Sequence, residues 1–127
     1  MTTRTDKLNW LVVGIGDITT KRVIPAIEAE PRSVLYGVVS RDRSKGLRYA
    51  KRAWTDLAEA LRDPEVGAVY VATPVFLHAP QTIAALRAGK HVLCEKPVAM
   101  NFEEAAGMTR AARETGKTLG IAYYRRM

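Results

Sequence analysis

The chain predicts an α/β fold, a doubly wound parallel sheet, from three observations. Short apolar runs recur along it and are nearly continuous, as strands covered on both faces must be. Helical stretches separate those runs one for one, the alternation that crossover-connected parallel strands produce. The loops after three of the runs carry unusual residues: Gly14-Ile15-Gly16-Asp17-Ile18-Thr19, Ala72-Thr73-Pro74 and Cys94-Glu95-Lys96-Pro97. In an open parallel sheet such loops converge on one crevice at the strand C-termini, where ligands bind.

Each element has its own local reason. Leu8 to Val13 is a short β run ending in glycines, and Thr20 to Ala29 reads as a helix with a kink at Pro25. Ser33 to Val39, rich in Val, Leu and Tyr, is the second strand, followed by a basic helix from about Ser44 to Arg52. Thr55-Asp56 opens a helix through Leu61 that Asp63-Pro64 stops, and Ala68 to Ala72 is a buried strand. His78 to Ala88 is a helix closed by Gly89, and His91 to Cys94 is the next strand. Asn101 opens the last helix, with Glu104 completing a capping-box-like start; it ends near Gly116, and Thr118 to Tyr123 is the final strand.

Composition bounds the function. A chain of 127 residues suits one domain, and 47% hydrophobic with 26% charged residues is ordinary for a folded one. No apolar run approaches the roughly 20 residues that cross a bilayer, and Met1 to Trp10 lacks a signal-peptide core. No membrane partner is expected, and the expected location is the cytoplasm. One cysteine, Cys94, cannot by itself form an internal disulfide or a metal site, so no metal is expected. The net charge of +7 raises nucleic acid as a partner. Lys21, Arg22, Arg41, Arg43, Lys45, Arg48, Lys51, Arg52, Arg125 and Arg126 form a loose band without a binding signature or aromatic interleaving. They read as a solvated face or as partners for cofactor phosphates, and no nucleic acid is expected.

The glycine turn has a mechanism. Gly14 permits the tight turn, Gly16 lets backbone approach a pyrophosphate, and the following helix N-terminus supplies oriented N–H donors. Asp17, Ile18 and Thr19 complete the cofactor-binding turn; Thr19 stands where a third glycine or alanine is usual, and the Asp17 side chain reads as solvated, with no role of its own. The end of the second strand chooses the cofactor. NAD domains place a carboxylate about 20 residues beyond the glycines for the ribose 2′-OH, whereas a 2′-phosphate needs it absent and an Arg nearby. Ser40-Arg41-Asp42-Arg43 offers Ser40 and Arg41 to a phosphate, with Arg41 also able to stack on adenine. Asp42 keeps NAD open if it turns inward. NADP is favoured slightly over NAD.

The run from Ala72-Thr73-Pro74-Val75-Phe76-Leu77-His78 through Ala85-Leu86-Arg87-Ala88-Gly89-Lys90-His91-Val92-Leu93-Cys94-Glu95-Lys96-Pro97 resembles the Gfo/Idh/MocA oxidoreductases, named for glucose-fructose oxidoreductase and inositol dehydrogenase. The resemblance extends to Ala122-Tyr123-Tyr124-Arg125-Arg126. It implies a Rossmann domain binding NAD(H) or NADP(H), and hydride transfer to or from a hydroxyl or carbonyl of a sugar, cyclitol or related polyol. It implies a catalytic role for Lys96 beside the nicotinamide and the reacting oxygen, where an ammonium stabilises negative charge or relays a proton. It also implies ribose bonding by Glu95, a nicotinamide wall from Thr73 and Pro74, and a position near the cleft for His78, as ligand contact or helix cap. A cis peptide before Pro97 would aim Lys96 inward. Cys94 and His91 read as buried strand residues.

Two departures stand out. Val75 replaces the family's usual Asn. Arg48 to Asp56 is shorter than in most members, which place a small third strand there; either that edge strand is lost, or residues are missing there and beyond Met127. The expectation is a dinucleotide-binding domain over 1–127, with the family's α+β substrate domain absent from this sequence, in an enzyme forming a homo-oligomer around a small-molecule substrate. The alternative classes are a non-catalytic dinucleotide-binding or redox-sensing protein and a basic nucleic-acid-binding module.

Overall fold

The computed structural model describes residues 7–122. Six parallel strands, β1 (Leu8–Val13), β2 (Ser33–Val39), β3 (Ala53–Trp54), β4 (Ala68–Val71), β5 (His91–Glu95) and β6 (Leu119–Ala122), lie in the order β3-β2-β1-β4-β5-β6. Every residue of β4 is buried, as a central strand covered on both faces requires. The order reverses between β1 and β4. Their neighbouring C-terminal loops therefore diverge around a crevice.

Helices cover the two faces. On one face, α3 (Leu57–Leu61), α4 (His78–Arg87) and α5 (Phe102–Thr115) pack Ala85, Leu86, Met108 and Ala111 against Leu11, Val69, Val71 and Val92. On the other, Val23 and Ile27 close over Val12, Val38 and Tyr70. Burying each such Val or Leu contributes roughly 1.5–3 kcal/mol. At the edge remote from the crevice, Asp63 joins two elements, accepting from the Tyr36 hydroxyl at 2.8 Å and, through its main-chain oxygen, from Lys90 Nζ at 3.0 Å.

The caps follow the sequence. Asn101 accepts from the Glu104 N–H at 2.8 Å, and Glu104 reaches back to the Met100 N–H at 2.9 Å, one residue further than a standard capping box. Gly89 and Gly116 close their helices at φ of 86° and 72°. The kink expected at Pro25 takes the form of a π turn over Thr19–Val23 running into α1 (Ile24–Ala29), with the Ile24 N–H bonded to Thr19 O. The wider turn leaves room where a proline ring would otherwise meet the carbonyl four residues back.

Two expectations are corrected. The helix expected from Ser44 to Arg52 is only α2 (Arg43–Gly46). Gly46 packs so tightly that a Cβ there would lie 2.8 Å from Val38 Cγ2, and the chain then turns back to the sheet. The third strand is present despite the short segment: Val38 pairs with Ala53 and Val39 with Trp54. Two residues suffice for an edge strand because the Trp54 ring packs over Gly37, where a Cβ would stand 2.6 Å from it. Smaller differences concern ends, with β4 stopping at Val71 and β5 reaching Glu95. Tyr123, Tyr124, Arg125 and Arg126 lie outside the described residues.

Candidate functional site

A cavity of about 540 Å³ opens at the C-terminal edge of β1, β2 and β4. Gly14 and Gly16 form its floor, Ser40 and Arg41 one wall, Thr73 and Pro74 the other. Gly14 is held by its N–H to Val39 O at 2.9 Å, with φ of 96°. A Cβ on it would stand 2.9 Å from Ala72 O. Gly16 differs, because a Cβ there would meet nothing within 4 Å. Its backbone borders open space, the condition for a phosphate to approach.

Asp17, Ile18 and Thr19 carry the turn into the helix. The Asp17 carboxylate lies 3.5 Å from Lys21 Nζ in solvent, Ile18 is exposed and Thr19 is buried. Their side chains do not line the cavity, so any contact they make with a ligand there is through backbone.

Ser40 is fixed by its N–H to Trp54 O at 3.0 Å. Arg41 is exposed. Asp42 caps α2, its carboxylate accepting from the N–H groups of Ser44 at 2.9 Å and Lys45 at 3.4 Å. Arg43 ties α2 to β3 through Nε and Ala53 O at 2.9 Å, and Arg52 lies 4.0 Å over the Tyr36 ring. Part of the basic band is therefore structural. Lys45 is a cavity residue that sequence reasoning left in that band; its Nζ reaches Ile15 O at 3.5 Å. The available signal was its place three residues after the capping Asp42, one helical turn back toward the glycines.

The end of β5 lies beside the cavity. Glu95 is half-buried and accepts from the Tyr70 hydroxyl at 3.2 Å. Burial pushes its carboxyl above the usual range, while the Tyr70 hydrogen bond and the charge of His78 act the other way. Lys96 is exposed, its main-chain N–H bonded to Ala122 O at 3.2 Å, and the Lys96–Pro97 peptide is cis. Neither Glu95 nor Lys96 lines the cavity itself. His78 is 2% exposed, with Nε2 2.7 Å from Thr73 O and Nδ1 2.8 Å from Pro97 O. The Thr73 hydroxyl lies 2.5 Å from Gln81 Oε1.

Cys94 is buried, as expected, whereas His91 is exposed, its Nδ1 accepting from the Thr118 N–H at 3.0 Å. Burial pushes the Cys94 thiol up to about 11. At pH 8 its thiolate fraction should fall about 100-fold below that of an unperturbed thiol. Alkylation followed by mass should be slower by at least that factor in the native protein and fast in denaturant. Rapid native labelling would contradict the burial.

An open parallel sheet whose central strand ends in a glycine turn, under a cavity at the order reversal, defines a Rossmann dinucleotide-binding domain. The family described as "Oxidoreductase family, NAD-binding Rossmann fold" (GFO_IDH_MocA) matches residues 8–123. The chain belongs to this Gfo/Idh/MocA family. It is 43% identical over 122 residues to a 1,5-anhydro-D-fructose reductase of Ensifer adhaerens, covering 92% of this chain and 36% of the relative. To a dTDP-3,4-didehydro-2,6-dideoxy-alpha-D-glucose 3-reductase of Actinomadura kijaniata it is 39% identical, covering 85% and 34%. The crystal structure of KijD10, a 3-ketoreductase from Actinomadura kijaniata in complex with TDP-benzene and NADP, superposes with a TM-score of 0.86 at 35% identity, covering 91% of this chain and 38% of that one. The chain thus spans about a third of the length of these relatives.

Proposed function

We propose that this chain is the cofactor-binding part of an NAD(P)-dependent oxidoreductase that transfers a hydride to or from a hydroxyl or carbonyl of a sugar, cyclitol or related polyol, with NADP(H) preferred. Residues 1–127 act as the dinucleotide-binding domain, and a second domain completes the substrate site. The observation that carries the cofactor preference is the pair Ser40 and Arg41 on the cavity wall, a hydroxyl and a guanidinium that suit an anion. Asp42 lines the same cavity but commits one of its two carboxylate oxygens, Oδ1, to capping α2. The sugar class is supported by the two sugar-reductase relatives.

The residues present fit the cofactor. Gly14 and Gly16 leave room for the pyrophosphate, and Glu95, beside the cleft, accepts ribose hydroxyls. The nicotinamide supplies or accepts the hydride. Lys96, at the end of β5, holds the proton that must leave or join the reacting oxygen, and its ammonium stabilises charge developing there. The same reading takes the protein as a cytoplasmic homo-oligomer acting on small molecules, with its lone thiol kept reduced.

Fluorescence titration with NADPH and NADH tests it. Arg–phosphate bonds are worth roughly 1.5–3 kcal/mol, so Arg41→Ala should weaken NADP(H) by about tenfold or more and change NAD(H) little. Equal losses would leave Arg41 as an adenine-stacking residue only. Tight cofactor binding without turnover of any polyol or keto sugar by the whole protein would favour a redox-sensing role.

A further inference from the structure

We propose that His78 is a positioning residue that carries a proton on both ring nitrogens and clamps the turn after β4 to the turn after β5, so fixing where Lys96 stands. The catalytic consequence rests on the reading of Lys96 above; the protonation state does not.

The argument is one of donors and acceptors. Nε2 faces Thr73 O at 2.7 Å and Nδ1 faces Pro97 O at 2.8 Å. A carbonyl oxygen only accepts, and a neutral imidazole has one N–H and one bare lone pair. In either neutral tautomer one nitrogen would therefore turn its lone pair on a carbonyl, in a ring only 2% exposed. Rotating the ring by half a turn does not help, because it brings carbon atoms to both oxygens. Only the imidazolium makes both bonds, and bonds to a charged donor are the stronger kind.

Burial of a ring 2% exposed opposes a charge on it, and the two charge-assisted bonds are what offset that cost. From β5, the half-buried Glu95 carries the opposite charge, and a charged His78 favours that carboxylate. Tyr70 on β4 bonds that carboxylate. Lys96, in the turn itself, opposes the charge but is exposed, where solvent screens it. Cys94 stays neutral, and Gln81 and Thr82 on α4 are uncharged. The two tethered segments are the Thr73-Pro74 turn that walls the cavity and the Glu95-Lys96-Pro97 turn that carries the proton-transfer candidate. One buried side chain thus couples the two halves of the site.

The sequence holds two histidines, and the structure assigns them opposite states. His91 Nδ1 accepts from the Thr118 N–H, so its Nδ1 is bare. Isotope-labelled histidine in the whole protein, read near neutral pH by a long-range nitrogen–proton correlation spectrum, separates the two, with a His91→Asn variant for assignment. The expected result is two protonated nitrogens on His78 and an unprotonated Nδ1 on His91. A bare nitrogen on His78 overturns the proposal, and this measurement needs no His78 variant to fold. In His78→Phe, which fills the space without donors, amide exchange at residues 95, 96, 98 and 99 and at 73 and 75–77 should rise together by about tenfold or more, while β1 stays protected. NADP(H) affinity should stay within about threefold, because the adenosine end is held elsewhere, and kcat should fall more than KM changes. Unchanged exchange at both turns would also overturn the clamp. Failure of the parent to bind either dinucleotide would end the functional reading and leave the two-proton state to stand on its own spectrum.

Discussion

Lys96→Ala is expected to lower kcat of the whole protein by about 10²–10⁴, the range general acid–base groups supply. Hydride transfer to a carbonyl leaves an alkoxide that needs a proton, and the reverse reaction must lose one. On the proposed function, the ammonium at the end of β5 serves both directions. Its side chain is exposed and supports no core, so the variant should melt with the parent, surface changes usually lying within about 0.5 kcal/mol. Cofactor affinity should change far less than kcat, because the proposed function assigns the pyrophosphate and adenine ends to Gly14, Gly16 and Arg41. Turnover near the parental rate would refute the role. Collapse of cofactor binding would recast Lys96 as a binding residue.

The two glycines of the first turn should fail in different ways. Gly16→Val puts a branched side chain into the open space over the turn, where no protein atom lies within 4 Å of the new Cβ. The fold should tolerate it, but the pyrophosphate can no longer approach. Losing one or two charge-assisted bonds of roughly 1.5–3 kcal/mol each predicts a fall in dinucleotide affinity of about tenfold to 10⁴-fold. Gly14→Ala meets Ala72 O at 2.9 Å and a backbone φ of 96°. It should destabilise the protein by about 1–3 kcal/mol through backbone strain alone, with the clash added. Calorimetry and fluorescence titration on the two variants separate these outcomes. A Gly16→Val protein that titrates like its parent would remove the cradle assignment.

Strand and helix alternation was legible because its causes are local. Apolar runs, the Asn101 and Glu104 cap, and the terminal Gly89 and Gly116 act within a few residues. The same holds for the glycine turn, since Gly14 and Gly16 follow the apolar run of β1 directly. Ser40, Arg41, Thr73 and Pro74, which line the cavity, could be named because in a parallel sheet every strand end leads to one edge.

Other features depend on contacts between distant segments, and no window of sequence contains them. Ser44 to Arg52 has the composition of a helix, yet the helix stops at Gly46, where Val38 and Ala53 close on that residue; the N–H groups of residues 47–50 bond back onto the last turn, and only from Arg52 does the backbone pair with β2. Asp42 reads as a free carboxylate until the start of α2 draws one of its two oxygens into a helix cap. Lys45 is one cation among many until the turn of α2 sets it over the glycine loop. His78 opens a helix in the sequence, and only the folded chain brings Thr73 and Pro97, 5 and 19 residues away, to its two nitrogens. Propensity and capping are decided by neighbours along the chain, whereas the direction of a polar side chain is decided by which distant backbone groups lack a partner when the strands come together.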